Sequence, residues 1–119
     1  MQKKILMVLS ILTLVLLNSC SKGVKVSLKN QTGNMIKNIK IHYTGGTKNV
    51  AEIKKNSEWK GFINPNGESH IEIDYIDFKN IKHHKNIDCY LENGYKGRLN
   101  IKIDKNDAIS VTDNINTGY

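Results

Sequence analysis

Apolar and polar residues alternate along most of the chain after residue 23. The apolar positions of the clearest segments are Val24, Val26 and Leu28; Ile39, Ile41 and Tyr43; Ile71, Ile73 and Tyr75; Ile87, Cys89 and Leu91; Leu99, Ile101 and Ile103; and Ile109 and Val111. A period of two residues is typical of half-buried strands, because successive side chains of a strand point to opposite faces. Segments 50–53 and 58–63 are also compatible with strands, although they alternate less regularly.

Turn sequences separate these segments at regular intervals, among them Gly45-Gly46, Asn93-Gly94 and the Pro65 region at 64–67. Glycine and asparagine tolerate positive φ, and proline presets φ for a turn. No stretch shows a sustained 3.6-residue apolar stripe. We therefore predict an all-β domain over residues 24–113, an antiparallel β-sandwich of immunoglobulin-like type with seven or eight strands, and a flexible tail over 114–119. A small β-barrel is the alternative architecture.

The first 19 residues follow a different pattern. Lys3 and Lys4 carry positive charge, and the thirteen residues 5–17 are uncharged and apolar apart from Ser10 and Thr13. A membrane-spanning helix needs about 20 apolar residues, whereas a run of this length is typical of the central region of a signal peptide. Residues 1–19 are therefore predicted to be a cleaved signal peptide.

The end of this segment, Leu17-Asn18-Ser19-Cys20, resembles the lipobox of bacterial lipoproteins. The resemblance implies that the Cys20 thiol receives a lipid such as a palmitate-bearing diacylglycerol, that cleavage occurs before Cys20, and that residues 20–23 form a short tether. The protein would then lie on the extracytoplasmic face of the cell membrane, and Ser21 would permit delivery to an outer membrane in a Gram-negative host. An ordinary secretory signal peptide is the alternative.

The remaining domain is moderately basic. Two of the 18 basic residues lie in the predicted signal peptide, which leaves 16 against 11 acidic residues, and Arg98 is the single arginine. Sequence-specific nucleic-acid binding relies on arginine forks and stacked aromatic residues, so we expect no nucleic-acid partner for this exported, lysine-rich chain. Anionic lipid headgroups or cell-wall polymers are the expected electrostatic partners.

Positive charge is densest between residues 79 and 85. The side chains that could contact an anion or a partner there are Lys79, Lys82, His83, His84 and Lys85. A solvated hairpin is the alternative interpretation of this segment. Trp59 and Phe62 fall on opposite faces of one strand, so one of them is expected to be exposed, and Trp59 is a further candidate contact residue.

Candidate chemistry is weak elsewhere. A metal site could be drawn from His70, His83, His84 and Cys89, but adjacent histidines on a strand point to opposite faces and no zinc-ligand spacing occurs. Cys89 shares the apolar positions of its strand, which predicts a buried thiol. Glu72 and Asp74 share an outward face, where ordinary cross-strand pairs are expected. We therefore predict no metal, no cofactor and no enzymatic activity.

These observations favour a non-catalytic binding or structural module that is anchored at the cell envelope. The domain is similar in size and plan to small uncharacterised lipoproteins of low-GC Gram-positive bacteria, a resemblance that implies no functional residues. Expected partners are the membrane through the lipid on Cys20, an anionic lipid or wall polymer, and a protein. The alternative function is an inhibitor or immunity lipoprotein that blocks a secreted hydrolase or toxin.

Overall fold

A computed structural model describes residues 23–116. The predicted signal peptide and residues 20–22 of the predicted tether, Cys20 included, lie outside the described residues. The chain forms eight strands: β1 (Val24–Asn30), β2 (Ile36–Tyr43), β3 (Gly46–Ile53), β4 (Glu58–Ile63), β5 (Ser69–Ile76), β6 (Lys82–Leu91), β7 (Lys96–Ile103) and β8 (Ile109–Asn116). No helix among these residues is long and apolar enough to cross a membrane.

The strands form two four-stranded sheets with the orders β4-β1-β7-β8 and β3-β2-β5-β6. All hydrogen-bonded pairs are antiparallel except β1 and β7, which are parallel. Each sheet keeps its own two edge strands, so the described chain is a sandwich and not a closed barrel. The predicted all-β sandwich is confirmed, and the number of strands is eight, the higher of the two numbers predicted.

The core lies between the inward faces of the two sheets. Its buried apolar side chains are Val24, Val26, Leu28, Ile36, Ile39, Ile41, Ile53, Ile63, Ile71, Ile73, Tyr75, Ile87, Leu91, Leu99, Ile101 and Ile103. Most of them are the alternating apolar positions of the sequence, as expected for strands with one buried face. Ile109 and Val111 are only partly buried, because β8 is an edge strand. Each fully buried aliphatic side chain contributes roughly 1.5–3 kcal/mol.

A bulge interrupts β2. The pairing with β5 shifts between Lys37 and Lys40, and Asn38 has a φ of 50°, a conformation that asparagine tolerates better than most residues. Because of the extra residue, Ile36 and Ile39 are both buried although they are three positions apart. Simple alternation therefore identifies Ile39 but misses Ile36 as a core residue.

The last strand extends further than the predicted domain boundary at residue 113. Asn114, Ile115 and Asn116 pair with Arg98, Gly97 and Lys96 of β7, and Ile115 packs against the core. Residues 114–116 of the predicted tail are thus part of β8, and Ile115 points towards the core on the same side of the strand as Val111. Residues 117–119 lie outside the described part of the chain.

The two ends of the sandwich carry different connections. β1 begins beside the end of β4 and the start of β7, and we call this the N-terminal end. The opposite end, called the distal end below, carries the connections 31–35, 54–57, 77–81 and 104–108. The basic segment 79–85 therefore begins at the end of the domain farthest from residue 23.

Candidate functional site

A cluster of four side chains links the two sheets at the distal end. Tyr75 of β5 and His83 of β6 are register partners, and their rings stack with centroids 4.7 Å apart. His83 Nε2 lies 2.8 Å from Asp77 Oδ2 and 3.9 Å from Asp107 Oδ2. The Tyr75 hydroxyl donates to Asp107 Oδ1 at 2.6 Å. Asp107 belongs to the β7–β8 turn, so this inter-sheet cluster joins residues of both sheets.

Two similar turns position the carboxylates of the inter-sheet cluster. Asp77 begins the β5–β6 turn, and its Oδ1 accepts hydrogen bonds from the backbone N–H groups of Lys79 and Ile81. In the β7–β8 turn, Asp104 Oδ1 accepts the equivalent bonds, and Asp107 occupies the left-handed position with a φ of 57°. Aspartate and asparagine favour such turns because their side chains bond to the backbone two residues on.

The protonation states of the inter-sheet cluster follow from these contacts. The hydrogen bond with His83, helped by the two backbone N–H donors, lowers the pKa of Asp77. Burial, followed by the hydrogen bond to Asp107, raises the pKa of Tyr75 well above its usual range. Asp77 is therefore an anion at neutral pH and Tyr75 remains a hydrogen-bond donor.

A second group of histidines and carboxylates lies on the outer face of the β3-β2-β5-β6 sheet. Asp74 Oδ2 lies 2.8 Å from His42 Nε2, and Asp74 Oδ1 lies 2.5 Å from His84 Nδ1. Glu72 Oε1 is 3.6 Å from His84 Nε2 and also 3.6 Å from His70 Nε2. Glu72 and Asp74 therefore pair with histidines and not with the lysines of neighbouring strands that ordinary cross-strand pairing would supply. His42 and His84 lie on the neighbouring strands, and His70 lies on the same strand.

The contact between Asp74 and His84 should be visible in a titration. The hydrogen bond to Asp74 raises the pKa of His84, and the same bond lowers the pKa of Asp74. The substitution Asp74→Asn is therefore expected to return the His84 pKa towards about 6.5, as measured by NMR of the imidazole protons. Asp88→Asn, on the outer face of the same strand as His84, is the matched control and should leave that pKa unchanged.

The sign of the pH effect follows from the raised pKa. Because the folded pKa of His84 exceeds its unfolded value, its contribution to stability is fully present below the unfolded pKa and is lost as pH rises through the folded pKa. Asp74 behaves oppositely, and its contribution is lost as pH falls through its lowered folded pKa. An unchanged His84 pKa in Asp74→Asn would show that the two side chains do not interact in solution.

A surface depression of about 950 Å³ is lined by residues of all four strands of the β3-β2-β5-β6 sheet, members of both groups among them. Its lining includes Asn38 of the β2 bulge together with Lys40, Asp74, Lys82 and His84. Cationic and anionic side chains therefore meet in the same depression. This arrangement does not select one sign of ligand charge, and the lining described here places no serine or cysteine nucleophile beside a base.

The structure divides the predicted contact segment between different surfaces. Lys79 lies in the β5–β6 turn, Lys82 begins β6, and both are exposed, as is His84. His83 and Lys85 have the opposite parity and are only partly exposed, because they face the gap between the sheets. The segment is therefore not a single cationic surface.

Two exposed apolar residues of the same turn are not identified by charge alone. Phe78 and Ile81 are 59% and 53% exposed, and Lys79 Nζ lies 5.6 Å from the centre of the Phe78 ring. The signal in the sequence is the presence of large apolar residues inside a turn, where polar residues are usual. The tip of this turn thus combines apolar surface with positive charge.

Of the two aromatic residues on β4, the structure exposes Phe62. Trp59 is half-buried and packs against the core, and its ring lies over Gly61, where an added Cβ would meet Trp59 Cζ2 at 2.4 Å. Most of the Trp59 surface is consequently committed to packing within the domain. Phe62 is 45% exposed and lies near the N-terminal end.

The histidines and cysteine considered for a metal site do not come together. His83 faces inward and His84 outward, as adjacent strand residues must, and Cys89 is half-buried, with its pKa raised chiefly by burial. His83 instead contacts Asp77 and Asp107, and the pattern of apolar residues did not identify these two carboxylates as part of a site. A usable signal is the repeated turn motif, Asp77-Phe78-Lys79-Asn80 and Asp104-Lys105-Asn106-Asp107.

Comparison with known proteins adds support only for the fold. No protein-family model and no curated protein matches the chain. The domain is similar to an NMR structure of a protein from Eubacterium rectale, with a TM-score of 0.57 and 17% sequence identity. The similarity covers 85% of this chain and 97% of that one. At this identity the likeness shows a shared fold and carries no functional assignment.

Proposed function

We propose that the chain is a lipid-anchored, non-catalytic binding module on the extracytoplasmic face of the cell membrane, and that its distal end binds a protein. The lipobox-like sequence ending at Cys20 supports the anchor. Because β1 begins at Val24, the tether would attach to the N-terminal end of the sandwich. Three extended residues reach at most about 10 Å, so that end would lie close to the bilayer.

The distal end would then face away from the lipid. β6 has ten residues, and a strand rises about 3.3 Å per residue. With the strands directed away from the membrane, the β5–β6 turn lies on the order of 30 Å from the anchored end. That distance exceeds the Debye length of about 8 Å at physiological ionic strength. Lys79 and Lys82 are therefore presented to a partner outside the host bilayer, whereas Lys25 of β1 remains near the headgroups.

The observation that carries this proposal is the composition of the distal turn tip. Phe78 and Ile81 are more than half exposed, and Lys79 and Lys82 flank them. Exposed apolar side chains on a protruding turn are typical of protein-binding surfaces, where a few anchors supply most of the affinity. The fitting partner is a protein with an apolar recess and an acidic rim, because a polyanionic polymer offers little apolar surface to Phe78.

The same turn gives the inhibitor or immunity function a specific basis. A protruding apolar tip is the feature that could enter the active-site cleft of a secreted hydrolase or toxin and block it. The two functions share the anchor and the surface and differ only in the class of the partner. The identity of the captured protein distinguishes between them.

The experiment is site-specific photocrosslinking of the full-length chain in its own envelope. A photoreactive phenylalanine analogue replaces Phe78, and the matched control carries it at Phe62, an exposed aromatic at the other end. We expect one specific protein adduct from position 78 and none from position 62. Combining Phe78→Ser and Ile81→Ser should lower recovery of that partner at least about tenfold while changing stability little, since both residues are exposed.

Separate outcomes would contradict each half of the proposal. Equal crosslinking at positions 62 and 78, or adducts with wall polymer alone, would exclude the distal turn as a protein-binding surface. Mass spectrometry that finds the Cys20 sulfur unmodified in protein from the native host would exclude the lipid anchor. A diacylglycerol mass on the wild-type Cys20 that is absent from a Cys20→Ala variant is the corresponding positive result.

A further inference from the structure

Three metal-ligating side chains converge between the two sheets at the distal end. One ligand atom from each of Asp77, His83 and Asp107 lies within 4.8 Å of the other two. His83 Nε2 is 2.8 Å from Asp77 Oδ2 and 3.9 Å from Asp107 Oδ2. In a tetrahedral site with bonds of about 2.0–2.1 Å, two donors lie about 3.3–3.4 Å apart. The two observed separations bracket that value, and the third, between the two carboxylate oxygens, is at most 4.8 Å.

The second oxygen of each carboxylate is held by another group. Asp77 Oδ1 accepts hydrogen bonds from two backbone N–H groups, at 2.8 and 3.0 Å. Asp107 Oδ1 accepts the Tyr75 hydroxyl proton at 2.6 Å. Each carboxylate therefore offers one oxygen towards His83 Nε2 while its other oxygen is engaged. Outer hydrogen bonds of this kind orient metal ligands in proteins.

His83 is held as firmly as the carboxylates. Its ring stacks on Tyr75 with an interplanar angle of 13°, and its side chain is 18% exposed, compared with 14% for Asp77 and 28% for Asp107. The three groups are thus shielded from bulk water but remain within reach of it. Three ligands from three chain segments leave a fourth position for water, as in many zinc sites.

From this geometry we infer that Asp77, His83 and Asp107 form a binding site for one divalent first-row transition ion, with zinc as its probe. One imidazole and two carboxylates suit Zn²⁺ better than they suit Mg²⁺ or Ca²⁺, because those two ions prefer oxygen ligands alone. The ion would bind Nε2 of the neutral imidazole of His83, whose single ring proton would lie on Nδ1, and the two carboxylates would balance the charge of the ion. Asp107 lies in the turn between β7 and β8 of one sheet, and Asp77 and His83 belong to the β5–β6 hairpin of the other, so the ion would connect the sheets.

Zinc titration of the intact chain, purified in detergent, tests this inference by calorimetry and by the thermal midpoint Tm. The wild type should bind one equivalent, and zinc at about one hundred times its Kd should raise the Tm by on the order of 10 °C. Asp107→Asn keeps a hydrogen-bond acceptor for the Tyr75 hydroxyl, and asparagine tolerates the left-handed backbone conformation of this position. The substitution removes the negative charge that would bind the ion. Asp107→Asn should therefore weaken zinc binding at least about 100-fold. Tyr75→Phe keeps the ring stacking but loses the hydroxyl that orients Asp107, and it should weaken zinc binding about tenfold.

Two control variants keep the result specific to this site. Asp88→Asn removes an exposed carboxylate of β6 outside the cluster, and His84→Ala disrupts the outer-face group of histidines. Both should keep the wild-type affinity, with far-ultraviolet circular dichroism verifying that all variants are folded. Unchanged zinc affinity in folded Asp107→Asn would overturn the site. Loss of binding in His84→Ala but not in Asp107→Asn would do so as well. Neither result bears on partner capture by Phe78.

Discussion

Replacing Gly97 with alanine is expected to lower the free energy of unfolding by at least about 3 kcal/mol. Gly97 has a φ of 122°, which L-residues rarely adopt. A Cβ there would lie 2.1 Å from the backbone oxygen of Asn114 and 3.0 Å from Ile115 Cα. Because both obstacles are backbone atoms of the paired strand, β7 and β8 would have to separate locally. Urea denaturation of the variant measures the loss.

The matched control for this substitution is Gly94→Ala. Gly94 also has a positive φ, 88°, but an added Cβ would meet no atom within 4 Å. Its cost should therefore be limited to the conformational strain, roughly 1–2 kcal/mol. A loss in Gly97→Ala no larger than that in Gly94→Ala would show that the close approach of β8 to Gly97 is absent in solution.

The second large effect is expected at Asn30, a fully buried polar residue at the end of β1. Its Nδ2 donates to the carbonyl oxygens of Asn34 and Ile53 at 2.7 and 2.9 Å. Its Oδ1 accepts from Thr32 N and Thr32 Oγ1 at 3.0 and 2.7 Å. Asn30→Ala removes all four bonds, leaves a small cavity, and should cost about 2–4 kcal/mol in thermal or urea unfolding.

Two further variants separate the donor and acceptor roles of Asn30. Thr32→Val removes the hydroxyl bond to Asn30 Oδ1 together with the exposed contacts of the same hydroxyl with the backbone of Asn34, and a loss of about 1 kcal/mol is expected. Asn30→Asp keeps the shape and the acceptor but turns an oxygen towards two carbonyl oxygens. It should be at least as destabilising as alanine at pH 7 and partly recover at low pH, because burial favours the protonated carboxyl, which can donate. A near-wild-type stability of Asn30→Ala would contradict this account.

The connection made by Asn30 illustrates how the distal end is organised. Asn30 joins the end of β1 to the end of β3 in the opposite sheet, and the inter-sheet cluster of Tyr75, Asp77, His83 and Asp107 joins the sheets on the β6–β8 side. Polar contacts therefore connect the two sheets on both sides of the distal end, which is the end that the proposed function assigns to partner binding. A rigid support for the 77–81 turn reduces the ordering cost of binding.

Much of the fold was predictable because burial imposes a local period. Val24, Val26 and Leu28 alternate with polar residues and are all fully buried, and His83 and His84 face opposite sides as neighbours on a strand must. The bulge at Asn38 and the extension of β8 through Ile115 could not be predicted in this way. Both depend on pairing with a neighbouring strand, which local alternation does not encode.

The candidate functional residues likewise divide into those that the sequence identifies and those that only the tertiary structure brings together. Lys79, Lys82 and the neighbouring histidines stand out in the sequence because they are consecutive or nearly so. Asp77 and Asp107 are thirty residues apart, and they meet at His83 only because the β5–β6 and β7–β8 turns lie at one end of opposing sheets. The repeated turn motif marks both turns in the sequence, but it does not indicate that the two turns approach each other.

By itself, the sequence determined the strand content, the faces that are buried, the position of the turns and the lipobox-like start, because each depends on residues close together in the chain. Tertiary structure alone decided the strand orders, the parallel pairing of β1 with β7, and the meeting of His83 with two distant carboxylates. These depend on which strands pair across the sheets, and that choice minimises the exposed apolar surface of the whole domain.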